Sequence, residues 1–121
     1  MASIDWAARA AALQFDGRAV IGGKRVAALA GETFGCVSPL DGRTLAQVAR
    51  GRAGDVDAAV AAARRAFDDG RWSRKAPAQR KKVLQRFAEL ILAAKEELAL
   101  LETLDMGKPI KYSLSVGAIS S

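Results

Sequence analysis

A helix-stop signal near residue 107 constrains the second half of this chain more than any other feature. An amphipathic pattern runs up to Leu104 and is followed by the segment Asp105-Met106-Gly107-Lys108-Pro109. Gly107 can adopt the left-handed C-cap conformation, and Pro109 cannot continue a helix. The sequence therefore predicts that a long helical region ends at Gly107.

Turn residues predict two β-hairpins in the first half of the chain. Gly22-Gly23-Lys24-Arg25 separates two short apolar runs, and Pro39-Leu40-Asp41-Gly42 separates two longer ones. Both segments have the turn chemistry of tight hairpins. An Ala-rich stretch with apolar anchors at residues 4–15 precedes them and predicts a short N-terminal helix.

Helical periodicity dominates the chain after residue 54. Asp55 is a good N-cap for a first helix, Gly70 ends that helix, and Pro77 suits the first position of the next. A break near Ala94-Lys95 divides the remaining pattern, so two to three helices are predicted. Apolar residues repeat here at steps of three and four: Leu84, Phe87, Ile91, Ala94, Leu98 and Leu101. A stripe of this kind requires a partner surface.

The net charge of +6 comes partly from one basic stretch. It comprises Arg71, Arg74, Lys75, Arg80, Lys81, Lys82 and Arg86. Such a stretch can neutralise phosphates, but it lacks the interleaved aromatic residues that stack on bases. A solvated helix face is therefore favoured over weak, nonspecific nucleic-acid binding, and no specific nucleic-acid partner is predicted.

Length and cysteine usage limit the class of protein. A chain of 121 residues fits one domain at most, and a single cysteine, Cys36, provides neither a disulfide framework nor a zinc cluster. The sequence has no signal-peptide pattern and no apolar run of membrane-spanning length. It predicts a cytoplasmic protein without a membrane partner.

Four motifs occur in an order that resembles the opening of the aldehyde dehydrogenase superfamily. They are Ala49-Arg50-Gly51, Asp55-Val56-Asp57-Ala58-Ala59, Trp72-Ser73 and Leu104-Asp105-Met106-Gly107-Lys108-Pro109. The resemblance runs from about Ile21 to Ile110. It is closest in appearance to bacterial enzymes of polyamine catabolism that oxidise amino-aldehydes such as gamma-glutamyl-gamma-aminobutyraldehyde.

The resemblance also implies the fold class and the division of the chain. The family has an α/β fold, and this piece of it would consist of the N-terminal helix, the two hairpins and the helices that follow. Residues 1–112 would form the N-terminal part of an aldehyde dehydrogenase domain. Residues 113–121 depart from the family pattern and are predicted to be a disordered tail.

What the resemblance implies about activity is oxidation of an aldehyde to a carboxylic acid with NAD or NADP. In that family a cysteine thiolate adds to the aldehyde, hydride leaves for the nicotinamide, and a glutamate-activated water releases the acid. These residues and the nucleotide-binding fold belong to parts of the family that this chain does not match. The expectation is an N-terminal fragment that is inactive and binds no cofactor alone. Its partner would be the missing remainder of the dehydrogenase or a second copy of itself.

A function from a different class remains open at this point. The chain could be a free-standing helical interaction module that pairs through the apolar stripe between Leu84 and Leu101. That hypothesis requires the chain to fold and associate by itself, whereas the dehydrogenase hypothesis requires more polypeptide.

Cys36 lacks the surroundings of a catalytic nucleophile. A reactive cysteine needs a nearby cation or helix N-terminus that lowers its pKa, and usually a base. Cys36 lies in a strand pattern between Gly35 and Val37, and the chain contains no histidine. No Gly-x-Gly-x-x-Gly fingerprint is present, and Gly51 and Gly54 suit turns. The sequence therefore predicts no catalytic and no cofactor-binding residue.

One site is implied by the resemblance alone. Several aldehyde dehydrogenases hold a monovalent cation, Na⁺ or K⁺, with two successive backbone carbonyls before the hairpin turn and with the carboxylate of the Leu-Asp-x-Gly segment. The matching positions are the carbonyls of Cys36 and Val37 and the side chain of Asp105. Oxygen ligands suit hard cations. The alternative is that Asp105 only interacts with local backbone at the helix end.

Overall fold

The computed structural model describes residues 3–117, and these residues form two compact units. The first unit contains residues 3–16, 35–46 and 90–117, and the second contains Gly17–Phe34 and Gln47–Glu89. Several segments alternate between the units along the sequence. Each unit therefore brings together residues that are far apart in the chain.

The order of elements agrees with the predicted one. The helices are α1 (Trp6–Ala12), α2 (Ala53–Asp68), α3 (Pro77–Ala93), α4 (Lys95–Met106) and α5 (Ile110–Tyr112), and the strands are β1 (Ala19–Ile21), β2 (Lys24–Val26), β3 (Thr33–Val37) and β4 (Thr44–Ala49). The strands form two two-stranded sheets, β1-β2 and β3-β4. The predicted short helix, two hairpins and later helices are confirmed, including the break at Ala94.

The β1-β2 hairpin of the second unit is antiparallel, with Ala19 opposite Val26 and Ile21 opposite Lys24. Gly22 and Gly23 form its turn with φ angles of 59° and 78°. Positive φ at both central positions is what a tight hairpin turn requires. The turn lies close to α2, since a Cβ atom built on Gly22 would be 3.7 Å from the Cβ of Ala62.

The start of α2 differs from the prediction. The helix begins at Ala53 after the extended N-cap residue Arg52, so Asp55 is the third helical residue and the prediction that it is the N-cap was wrong. Its carboxylate accepts hydrogen bonds from the backbone N–H of Arg52 at 2.9 Å and of Leu29 at 2.8 Å. A carboxylate at this position can satisfy the amide of the N-cap residue. Asp55 thereby links the segment after β2 to the start of α2.

In the first unit, α4 carries most of the buried apolar residues. Ala99, Leu100 and Leu104 are buried, and α4 packs against α1, α5 and the turn that follows α5. An ion pair between Arg9 of α1 and Glu96 supports the first of these contacts. The stripe predicted along this helix included Leu98 and Leu101, which are only partly buried.

The predicted helix stop is confirmed. Gly107 is the C-cap of α4 with a φ of 77°, and its N–H donates to the carbonyl of Thr103 at 3.0 Å. A Cβ atom at this position would lie 3.1 Å from Cγ of Pro39. Both the left-handed conformation and the nearby proline therefore favour glycine here.

The predicted disordered tail differs from the structure over its first five residues. Ser113–Gly117 form a π-helical turn, and Ser113 is 1% exposed. The hydroxyl groups of Ser113 and Thr103 are 3.0 Å apart and form a hydrogen bond that joins this turn to α4. The rest of the predicted tail, residues 118–121, lies outside the described residues. That residues 1–112 form part of a larger domain stays a prediction.

Asp55 generates the first testable prediction. We expect Asp55→Asn to weaken the second unit and Asp55→Ala to weaken it more, because asparagine has one acceptor oxygen for two backbone donors. Hydrogen exchange measured by NMR should show faster exchange at the amides of Leu29 and Arg52. The control is Asp57→Asn, which alters an exposed carboxylate of the same helix. Unchanged exchange at both amides in Asp55→Ala would contradict the linking role.

The stabilisation by Asp55 should also depend on pH. Hydrogen bonds from the Arg52 and Leu29 amides lower the pKa of Asp55. A carboxyl group whose pKa is lowered in the folded state stabilises the fold at pH values above its unfolded-state pKa of about 3.9. That contribution is lost as the pH falls below about 4 toward the folded-state pKa. Acid titration of the Leu29 and Arg52 amide protection should show this loss in the native chain and not in Asp55→Ala.

Candidate functional site

The predicted cation site brings together the end of a strand and the end of a helix within the first unit. Cys36 lies in β3, and Asp105 lies in the last turn of α4. The thiol of Cys36 donates a hydrogen bond to Oδ1 of Asp105, with 3.1 Å between sulfur and oxygen. The helix ends immediately afterwards at Gly107, which contacts Pro39 of the β3-β4 hairpin. The helix stop and the hairpin turn thus position Asp105 beside Cys36.

This hydrogen bond sets the chemistry of the cysteine. The hydrogen bond that the thiol donates to Asp105 raises the pKa of Cys36. Partial burial of the thiol and the negative charge of Asp105 raise this pKa further. Only the thiolate is a strong nucleophile. The raised pKa disfavours the thiolate of Cys36, which supports its interpretation as a structural residue.

The donor set suits a hard cation. Backbone carbonyls and a carboxylate provide oxygen ligands. Hard cations such as Na⁺ and K⁺ prefer oxygen ligands, as Ca²⁺ does. A carboxylate has about four lone-pair positions, so the thiol hydrogen bond at Oδ1 does not exhaust its capacity. Within residues 3–117, no three His, Cys, Asp or Glu side chains come together as a metal site. A site here would therefore rely on backbone carbonyls.

Gly51 and Gly54 flank the first residue of α2, Ala53. The N–H of Arg52, which precedes the helix, donates to Oδ2 of Asp55. The negative charge of Asp55 is thus at the same helix terminus where a phosphate would have to bind. Gly51 precedes the helix as predicted, but Gly54 is the second residue of α2, so the prediction that Gly54 is a turn residue was wrong.

The basic stretch is partly neutralised by local partners. Arg71 forms an ion pair with Asp69, and Arg86 forms one with Glu89 at 2.9 Å. The guanidinium of Arg74 donates to the backbone carbonyl of Asp68 at 2.7 Å. The side-chain and backbone hydrogen bonds from Arg71 lower the pKa of Asp69, so that acid stays charged. These pairs reduce the charge available to a nucleic acid.

An open groove beside α3 is a feature that sequence reasoning missed. It has a volume of about 530 Å³ and is lined by Trp72, Pro77, Arg80, Lys81, Leu84, Gln85 and Ala88. Arg80 is partly buried, and its Nε atom is enclosed without a hydrogen-bond partner in the described part of the chain. The sequence predicted a solvated helix face that includes Arg80. The sequence feature that could have indicated the partial burial of Arg80 is its four-residue spacing from Leu84, because this spacing puts both side chains on one side of the helix.

The apolar stripe of α3 is largely exposed. Its members Leu84 and Phe87 are 57% and 60% exposed, whereas Ile91 is partly buried. This agrees with the prediction that the stripe requires a partner surface. Across residues 3–117, no helix combines the length and apolar character needed to cross a membrane.

Comparison with known proteins identifies the family. The sequence profile of the Aldehyde dehydrogenase family matches residues 26–118. The match covers most of the chain and includes the β3-β4 hairpin, helices α2 to α5 and the segment around Gly107. The chain belongs to the aldehyde dehydrogenase family.

Two curated relatives have about half of their matched residues in common with this chain. The NADP/NAD-dependent aldehyde dehydrogenase PuuC of Escherichia coli K12 is 49% identical over 109 residues, which are 90% of this chain and 22% of PuuC. The aminoacetaldehyde dehydrogenase of Pseudomonas aeruginosa PAO1 is 50% identical over 107 residues, which are 88% of this chain and 22% of that protein. The chain thus spans about a fifth of the length of these relatives.

Solved structures give the same result. The gamma-glutamyl-gamma-aminobutyraldehyde dehydrogenase of Burkholderia cenocepacia J2315 is 54% identical with a TM-score of 0.91, covering 93% of this chain and 23% of that one. The P. syringae indole-3-acetaldehyde dehydrogenase AldA, solved with NAD⁺ and IAA, is 59% identical with a TM-score of 0.90, covering 93% and 23%. The predicted family and its fold are therefore confirmed.

The hydrogen bond between Cys36 and Asp105 generates a second prediction. We expect iodoacetamide to alkylate Cys36 more slowly in the folded chain than in the same chain unfolded by urea at the same pH. Asp105→Asn should accelerate alkylation of the folded chain, because it removes the negative charge that disfavours the thiolate. Glu97→Gln removes an exposed charge from the same helix and serves as the control. An alkylation rate that Asp105→Asn leaves unchanged would contradict this account.

Proposed function

We propose that this chain provides one part of an NAD(P)-dependent aldehyde dehydrogenase and has no activity by itself. The observation that carries the proposal is the family match over residues 26–118, in a chain that spans about a fifth of the length of its curated relatives. In this proposal the chain contributes a scaffold and the rest of the enzyme contributes the chemistry. Its partner is accordingly further dehydrogenase polypeptide.

The substrate class is proposed to be an aldehyde with an amino or amide group. Two kinds of relative support this: the aminoacetaldehyde dehydrogenase at 50% identity and the gamma-glutamyl-gamma-aminobutyraldehyde dehydrogenase at 54%. The cofactor is proposed to be a nicotinamide dinucleotide, as the name of PuuC and the NAD⁺ complex of AldA indicate for those proteins. The product is the corresponding carboxylic acid.

The described residues of this chain supply no catalytic group for that reaction. The pKa of its single cysteine is raised by Asp105, and that thiol therefore remains protonated at neutral pH. The carboxylates of Asp55 and Asp69 have lowered pKa values and accept backbone hydrogen bonds, so they are poor bases. These properties support a scaffolding role.

We further propose the monovalent cation site at the carbonyls of Cys36 and Val37 and the carboxylate of Asp105. The 3.1 Å distance between the Cys36 sulfur and Oδ1 of Asp105 supports it, because the strand and the carboxylate are adjacent. A bound Na⁺ or K⁺ would join the β3-β4 hairpin to the end of α4. Its contribution would be structural.

A hybrid enzyme tests the proposed activity. The segment of the P. aeruginosa aminoacetaldehyde dehydrogenase that matches this chain is replaced by residues 26–117, and NADH production is measured with aminoacetaldehyde, gamma-glutamyl-gamma-aminobutyraldehyde and indole-3-acetaldehyde. We expect the hybrid to oxidise aminoacetaldehyde, because its larger part comes from the aminoacetaldehyde dehydrogenase, and the isolated chain to oxidise none of the three. A folded hybrid without turnover would sink the proposal. Turnover by the isolated chain that disappears in Cys36→Ser would also contradict it.

Thermal unfolding tests the cation site. At constant ionic strength, we expect NaCl or KCl to raise the unfolding midpoint of the hybrid relative to tetramethylammonium chloride, which is too large for the site. Asp105→Asn should abolish this difference because it removes the only charged ligand. Glu97→Gln should retain it. Equal midpoints in all three salts for the unaltered hybrid would rule the site out.

A further inference from the structure

The ion pair between Lys108 and Glu102 spans the end of α4. Nζ of Lys108 lies 3.1 Å from Oε1 of Glu102, and the two side chains are only 24% and 28% exposed. The ion pair of Arg52 and Glu32 is more open, with side chains 62% and 39% exposed. Solvent and salt screen partly buried charges less than exposed ones. The Lys108–Glu102 pair is therefore a stronger constraint than a surface ion pair.

The carboxylate of Glu102 depends on Lys108 for its compensation. Its second oxygen, Oε2, is enclosed and has no hydrogen-bond partner among residues 3–117. Removal of one member of a partly buried ion pair leaves the other charge uncompensated, which is more destabilising than the loss of a surface pair. Loss of Lys108 would therefore disturb the last turn of α4, to which Glu102 belongs.

Asp105 lies within the segment that this ion pair closes. It follows Glu102 by three residues, so the two carboxylates are neighbours on α4 and repel each other. Asp105 is also in the last turn of the helix, where the dipole disfavours negative charge and favours a cation. The helix ends at Gly107, and Lys108 reaches back to α4 from beyond that residue. Lys108 thus offsets both effects that would displace Asp105 from Cys36.

We propose that Lys108 and Glu102 are positioning residues for the cation site, because their ion pair holds the carboxylate of Asp105 beside the strand that contains Cys36. This inference rests on the cation site of the proposed function. It adds two residues that act through Asp105 and are not themselves ligands. The hydrogen bond from Cys36 to Asp105 and the binding of Na⁺ should accordingly weaken together when the ion pair is removed.

The variant Lys108→Met tests the proposal, because methionine keeps most of the side-chain length and removes the charge. In the 121-residue chain, which has one cysteine, we expect iodoacetamide to alkylate Cys36 about twofold faster or more, as for coupled charged neighbours. In the hybrid enzyme, the sodium concentration that gives half of the thermal stabilisation should rise by a similar factor. Lys108→Arg keeps the charge and should behave as the unaltered protein in both measurements.

The direction of both effects separates positioning from direct electrostatics. If Lys108 acted only through its charge, its removal would raise the pKa of Cys36 and slow the alkylation. It would also strengthen the attraction between Asp105 and Na⁺. Lys111→Met removes the same charge from an exposed lysine three residues further on and is the matched control. We expect it to change either measurement by less than about 1.5-fold.

Two double variants show whether the ion pair acts through Asp105. In the Asp105→Asn background, Lys108→Met should have no further effect on alkylation, whereas general unfolding would still accelerate it. Glu102→Gln should reverse most of the effect of Lys108→Met, because it removes the charge that had lost its partner. Circular dichroism of each variant shows whether the helices are retained.

Several outcomes would overturn the proposal. They are slower alkylation or tighter sodium binding in Lys108→Met, equal effects of Lys111→Met, and a failure of Lys108→Arg to restore both properties. Acceleration that persists in the Asp105→Asn background would also contradict it, because the ion pair would then stabilise the fold as a whole. If the alkylation results are as expected but sodium does not stabilise the unaltered hybrid, the cation site is refuted and the placement of Asp105 by the ion pair is retained.

Discussion

The structure depends on one constraint, which is the scarcity of buried apolar side chains. Among the described residues the buried apolar set consists of Ala28, Ala99, Leu100 and Leu104, whereas most large apolar side chains of α2 and α3 are half exposed or more. Covering one Leu or Phe side chain is worth about 1.5–3 kcal/mol. Several uncovered side chains therefore amount to a large part of the stability of a small domain, which is about 5–15 kcal/mol.

Hydrogen bonds of charged groups at the ends of segments compensate for part of this scarcity. Asp55 joins the segment after β2 to α2, Asp105 joins α4 to the strand of Cys36, and Lys108 pairs with Glu102 at 3.1 Å. Each of these contacts positions a segment without a large apolar core. One of these contacts also raises the pKa of Cys36, because the carboxylate of Asp105 disfavours the thiolate.

The sequence predicted local features better than packing. Gly107 and Pro109, the Gly22-Gly23 turn and Pro77 act through backbone conformation, which residue type determines directly, and their elements appeared as predicted. Asp55 was assigned as the N-cap, whereas the helix begins two residues earlier and Asp55 is its third residue. Its second partner, Leu29, is 26 residues away, and no local pattern indicates that contact. The partial burial of Arg80 was missed because it too depends on tertiary packing.

The candidate cation site was suggested by the family resemblance and could not have been predicted from the residue pattern alone. Cys36 and Asp105 are in contact in the structure although 69 residues separate them in the sequence. No local sequence pattern relates residues so far apart, so only the family resemblance suggested the pair.

The choice of substrate cannot be inferred from this region in the same way. Relatives named for an indole aldehyde and for an amino-aldehyde are 59% and 54% identical to this chain. Because similarity in this region does not separate those substrates, the groups that distinguish them are expected in the four-fifths of those relatives that this chain does not match.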